Sequence, residues 1–158
     1  MGSLYPTEFD VVRTEMMHWI RIYHRITSSL AAAKFLWCCR MNKIPAMFNE
    51  VARDFSIPAK KIIQTMLETD YIPALGASEY VDRLSKQLSL ADFVRDAAID
   101  LVDDCVGGTS PTVKACCAVL KAAESQGIRL TKGRVASILD VTPVGIHMAL
   151  KREGSHNQ

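Results

Sequence analysis

The feature that most restricts what this chain can fold into is an internal echo at a spacing of 84 residues. Val51-Ala52 returns as Val135-Ala136, Phe55 as Leu139 and Ile57 as Val141. Ala59, Ile62 and Met66 then return as Pro143, Ile146 and Leu150. Each copy reads Val-Ala, a bulky residue, a turn, Ile or Val, and a segment anchored by Ile and then Met or Leu. A run rich in small residues precedes each copy, one holding Cys38-Cys39 and the other Cys116-Cys117. A series that stays in register over this length predicts two copies of one structural unit.

Within each copy, Val and Ile recur at helical spacing and strict alternation never persists, so the expected class is all-α. A first helix is expected over Glu8–Ile26, with Val11, Met16, Ile20 and Tyr23 as its apolar stripe. A second, over Ser28–Met41, is apolar almost throughout, which predicts burial on all sides. Helices over Met47–Phe55 and Pro58–Thr69 complete the first half, and Pro58 suits a first helical turn. Asp70–Ser78, with Pro73 and Gly76, reads as a linker. The second half is expected to hold helices over Ser78–Leu88, Leu90–Asp104, Ser110–Gln126, Thr131–Leu139 and Thr142–Arg152. Ser110-Pro111 and Thr142-Pro143 each pair an N-cap residue with proline at the first helical position.

Apolar residues make up 49% of the 158, enough to build a real core. The net charge of +2 is neutral on nucleic acid, but its distribution is uneven. Asp92, Asp96, Asp100, Asp103 and Asp104 crowd one segment, which reads as a solvated acidic face. From Cys105 onward Lys114, Lys121, Arg129, Lys132, Arg134, Lys151 and Arg152 outnumber Glu124, Asp140 and Glu153. The five cysteines include two adjacent pairs, and neighbours on a helix point about 100° apart, a poor arrangement for sharing one metal. No Cys-x-x-Cys occurs, so the cysteines read as reduced core residues of an intracellular protein and no cofactor or metal is expected. No apolar run is long enough to span a membrane. Met1-Gly2-Ser3 reads as a remnant of recombinant expression, which points to a piece of a longer protein.

The order of these units carries a family resemblance. SLAAAKFLWCCRMNKIPAMFNEVARDFSIPAKKIIQTMLE resembles the first cyclin-type repeat of the transcription factor IIB family. EYVDRLSKQLSL, SPTVKACCAVLKAAESQG and LTKGRVASILDVTPVGIHMALKR resemble the second. The likeness runs from Phe9 to Arg152 and consists of small, apolar and capping residues in order, not an invariant motif. It implies two tandem five-helix cyclin-like repeats, over residues 8–72 and 77–153, the second ending in a helix-turn-helix. The first repeat departs from the pattern by lacking its first helix. The family's N-terminal zinc ribbon is not among these residues.

The resemblance implies a nuclear general initiation factor core that binds the TATA-box-binding protein and promoter DNA and helps recruit RNA polymerase II. The positions matching the family's contacts to the TATA-box-binding protein are Arg25, Arg40, Lys60 and Lys61. Read from the residues alone, Arg40 is also a cation suited to a helix C-terminus, and Lys60 and Lys61 are also ordinary solvated lysines. In the second repeat, Val144 and His147 match the family's upstream DNA contacts, with His147 standing where the family carries Arg. Histidine cannot make arginine's bidentate guanine contact, so the expected DNA binding is by phosphates, through Thr131, Lys132, Arg134 and Lys151. Val135, Ile138, Leu139, Ile146 and Leu150 are expected to face the core; Val144, Gly145, His147, Met148 and Lys151 are expected to face outward.

No grouping of Ser, Cys, His and acid in the sequence resembles an activated nucleophile, and no enzyme activity is expected. The rival reading is a cyclin-type regulatory module for a kinase or another protein. A kinase-binding cyclin would present a Lys and Glu pair in its first repeat, and nothing in the sequence marks one. A purely architectural helical adaptor is the second rival.

Overall fold

The computed structural model describes residues 8–22, 26–68, 73–105 and 109–156. Among them the chain is all-α, with no strand. The helices are α1 (Glu8–Ile22), α2 (Ser28–Met41), α3 (Phe48–Asp54), α4 (Ala59–Glu68), α5 (Ala77–Leu88), α6 (Asp92–Val102), α7 (Pro111–Ser125), α8 (Lys132–Ile138) and α9 (Pro143–His156). The chain divides into two compact units between Ala74 and Leu75.

The spacing of 84 reappears in the backbone. α1, α3 and α4 begin at positions 8, 48 and 59, and α6, α8 and α9 at 92, 132 and 143. α2 and α7 keep it to within one residue. Only α5 has no counterpart among the described residues of the first unit.

The helix ends repeat as well. Lys43 and Gly127 are both left-handed, at φ 57° and 72°. In each case the next amide reaches back five residues, Ile44 N to Cys39 O at 2.8 Å and Ile128 N to Ala123 O at 2.8 Å. Ser56 and Asp140 form a second matched pair, with Ile57 N to Ala52 O at 2.9 Å and Val141 N to Ala136 O at 3.1 Å. Ser89 closes α5 in the same way. This is the Schellman closure, which satisfies carbonyls that the last turn leaves open. Glycine takes the left-handed position in only one of the five. The starts match too: Thr27 Oγ1 accepts from Leu30 N at 3.2 Å, and Ser110 Oγ from Val113 N at 3.4 Å.

In the first unit α2 is central and packs on α1, α3 and α4. Its Ala32, Ala33, Leu36, Cys38 and Cys39 are buried, while Met41 is 54% exposed, so the helix is not enclosed on every side. On α1 the buried residues are Val12 and Met16, not the expected Val11 and Met16. Val12 lies four residues from Met16, one helical turn, whereas Val11 points to another face. The side chains of Ile20 and Tyr23 lie outside the described residues.

In the second unit α7 takes the central place against α5, α6, α8 and α9. Ala115, Cys116, Cys117, Ala118, Val119, Ala122 and Ala123 are all buried. The acidic segment is solvated as expected: Asp92 and Asp96 are exposed, and Arg95 gathers them at 3.3 and 2.8 Å. α9 runs four residues beyond the expected end at Arg152. Its last turn carries Glu153, buried and ion-paired with Lys121 of α7, which holds that turn against the unit.

All five cysteines are free thiols and buried. Burial pushes Cys38 and Cys105 up to about 11, and Cys39, Cys116 and Cys117 up to about 12. A thiol held protonated in the fold but ionising near 9 when unfolded favours the fold only while it stays protonated. That stability is complete below pH 9 and is lost as pH rises toward 11. The urea midpoint should therefore fall between about pH 8 and about pH 10. At about pH 8 a thiol reagent should react slowly with the native protein and quickly in denaturant.

The matched caps give a second expectation. Lys43 holds a left-handed conformation that costs a non-glycine residue about 1–2 kcal/mol, and its repeat mate is Gly127. Part of the gain from Lys43→Gly is returned as unfolded-state entropy, about 0.5–1 kcal/mol. The substitution should raise unfolding stability by about 0.5–1 kcal/mol, read as a higher urea midpoint at unchanged slope.

Candidate nucleic-acid interface

The segment Thr131–Arg152 presents a surface of mixed cationic and apolar side chains on the second unit. Thr131 starts α8 by accepting from Arg134 N at 3.2 Å. The helix ends at Leu139, and the left-handed Asp140 turns the chain into Thr142. Thr142 Oγ1 accepts from Gly145 N at 3.1 Å, and Pro143 fills the first helical position, where no amide donor is needed. A Cβ on Gly145 would come within 3.2 Å of that Thr142 hydroxyl, so the glycine leaves the cap its room.

Burial then sorts the two helices. Val135, Ala136, Leu139, Ile146 and Ala149 are buried. Ile138 and Leu150, expected in the core, are only half-buried, while their neighbours Leu139 and Ala149 are buried. Outward stand Val144 at 69% exposure, Met148 at 46%, and exposed His147 and Lys151, with Gly145 half-buried between them. Lys132 and Arg134 are exposed on α8.

One contact links the helices at this surface. Lys132 Nζ lies 3.3 Å from His147 Nδ1. A lysine ammonium can only donate, so Nδ1 accepts and the ring proton sits on Nε2. Thr131, expected at a phosphate, uses its oxygen as the cap of α8 and keeps only its O–H for another acceptor.

In the first unit the candidate residues divide. Lys60 and Lys61 are exposed on the first turn of α4. Arg40 is half-buried in the last turn of α2. Its guanidinium lies 5.4 Å from the Phe48 ring centroid, and Nη1 donates to Pro73 O at 3.3 Å. Those contacts tie Arg40 to its own unit. Arg25 lies outside the described residues. The outward face of α4 carries Lys60, Ile63 at 40% exposure, Gln64 and Leu67 at 72%. These stand 84 positions before Val144, His147, Met148 and Lys151. The exposed apolar residues Ile63 and Leu67 were not among the expected site residues. Their signal is a second apolar stripe beside the buried Ile62 and Met66.

Among the described residues no three His, Cys, Asp or Glu side chains are grouped to hold a metal ion. No helix among them is long and apolar enough to cross a membrane. No family model matches the chain.

Proposed function

We propose that this chain is the core of a transcription factor IIB-type initiation factor, built of two tandem cyclin-like repeats. In this reading α8 and α9 form a helix-turn-helix that lies on promoter DNA. The first repeat binds the TATA-box-binding protein, and the assembly helps bring RNA polymerase II to the promoter in the nucleus. The observation that carries the reading is the outer face of α8 and α9. It joins exposed Lys132, Arg134 and Lys151 to an apolar Val144–Met148 edge on a helix whose opposite side is buried. A cation-rimmed helix of this kind suits a groove flanked by phosphates.

The details favour phosphate binding over base reading. Val144 offers only apolar contact and Gly145 none. His147 spends one ring nitrogen on Lys132, leaving a single N–H, where a guanine reader needs two parallel donors. Lys132→Ala, Arg134→Ala and Lys151→Ala should weaken binding to all DNA sequences alike. Each should flatten the salt dependence by about one unit of slope. His147→Arg should do the opposite and sharpen preference for a guanine-containing site upstream of the TATA element. Binding of matched and scrambled upstream sequences, with the TATA-box-binding protein present, measures both. Strong discrimination by the unaltered protein that His147→Ala abolishes would overturn the phosphate reading.

The protein partner is tested on α4. Lys60→Glu with Lys61→Glu should weaken capture of the TATA-box-binding protein on promoter DNA while leaving the helical circular dichroism intact. Exposed pairs contribute roughly 0–1 kcal/mol each, so the double variant is the informative one. Arg40→Glu belongs in a separate arm, because it also removes the contacts to Phe48 and Pro73. Unchanged affinity of the double variant would remove α4 from the proposed partner surface.

A further inference from the structure

We propose, resting on the DNA reading of α8 and α9, that Lys121 and Glu153 are positioning residues that set the cationic end of α9 against DNA. The inner stripe of α9 starts with Ile146 and Ala149, both buried, and the next buried residue along it is Glu153. A carboxylate thus stands where an apolar side chain would continue the stripe. It is ion-paired with Lys121 of α7. The Cys105 thiol, 4% exposed, lies against the same carboxylate. Glu153 therefore joins the end of α9 to α7 and to the residue that closes α6.

From Lys151 to Ser155, Glu153 alone is buried. The turn it belongs to is weak by itself. Gly154 disfavours helix, and Ser155 Oγ donates locally to Lys151 O at 3.1 Å. No apolar side chain from Lys151 to Ser155 holds this turn down, so its helical form depends on the ion pair. Lys151 and Arg152 stand at its root, and Lys151 is one of the proposed phosphate contacts.

The pair belongs to the second copy. Eighty-four positions before Lys121 and Glu153 stand Trp37 and Thr69, neither of them charged, and α4 ends one residue short of the second. The repeated fold is thus built once without the pair. It occurs in the copy that carries the exposed cations of α8 and α9. The two partners also differ in access, the Lys121 side chain at 36% exposure and that of Glu153 at 9%. A carboxylate so far from water needs its partner, and loss of Lys121 leaves the charge uncompensated. The carboxylate regains water by moving outward, and the end of α9 moves with it.

The test uses the whole 158-residue chain with Lys121→Met, Glu153→Gln or Lys121→Arg. Trypsin release of residues 153–158, followed by mass spectrometry, reads the seating of the helix end. Binding to a promoter duplex with the TATA-box-binding protein present reads its consequence. Lys121→Met and Glu153→Gln should each speed release about tenfold and weaken DNA binding about threefold, with the circular dichroism otherwise unchanged. The direction in Glu153→Gln is diagnostic, because removing a negative charge without moving α9 would tighten binding to a polyanion. Lys121→Arg keeps the charge and should match the unaltered chain in both readouts. Unchanged release in Lys121→Met, tighter DNA binding by Glu153→Gln, or a loss in Lys121→Arg as deep as in Lys121→Met would each overturn the inference and leave the DNA reading standing. An unaltered chain that binds no DNA would overturn that reading and the inference with it, whatever the trypsin result.

Discussion

Each unit depends on one helix that has almost no polar face. α2 and α7 are built around Ala32-Ala33, Cys38-Cys39 and the run Ala115–Val119, so their neighbours can approach closely on several sides. Small side chains contribute little burial each, and the gain comes from the larger residues that close contact lets in. Val12, Leu36, Val51 and Ile62 are wholly or almost wholly buried in the first unit, and Val81, Leu84, Val94, Val135 and Ile146 in the second. The thiols follow from the same constraint. A cysteine is near alanine in size, adds polarizable bulk, and is inert while burial keeps it protonated.

The helices themselves were largely legible in the sequence, because apolar residues at helical spacing must be buried together whatever else is true. Ser28–Met41 was read to the residue, and the short α3 and α8 to within one residue at each end. What the sequence hid was how the helices stop. Lys43, Ser56, Ser89 and Asp140 hold left-handed backbone, where the readable signal is glycine. In each, the following apolar residue (Ile44, Ile57, Leu90, Val141) carries the amide that closes the turn, and closure offsets the local cost. That information lies in a contact five residues back. Gly127 is the one place where composition and conformation agree.

The candidate surface was legible in part for a related reason. An outward face follows from the positions of buried residues, so Val144, His147, Met148 and Lys151 could be placed outside once Ile146 was placed inside. Contacts between side chains on different helices carry no such periodic trace. The Lys132–His147 approach joins residues 15 apart, and Arg40 reaches Pro73 across 33. Both change the chemistry of residues that looked available as free charges. Glu153 is a further case: it lies past the expected helix end, yet Lys121 makes it part of the core boundary.

The repeat also separates what the fold requires from what each unit was left free to vary. Ile62 and Ile146 are wholly buried, Val51 and Val135 almost wholly so, and the left-handed turns at Ser56 and Asp140 agree. These positions make the unit. The outward faces of the last helices do not agree: α4 shows Lys60, Ile63, Gln64 and Leu67, whereas α9 shows Val144, His147, Met148 and Lys151. An apolar pair one helical turn apart, as Ile63 and Leu67 are, gains by meeting another apolar surface and gains nothing from phosphate. Lysines on the outer face, as Lys132 and Lys151 are, gain from phosphate through counterion release. Both faces carry an apolar pair one helical turn apart, Ile63 with Leu67 and Val144 with Met148; what sets the second copy apart is Lys132 and Arg134 on α8, where the first copy has Phe48 and Glu50.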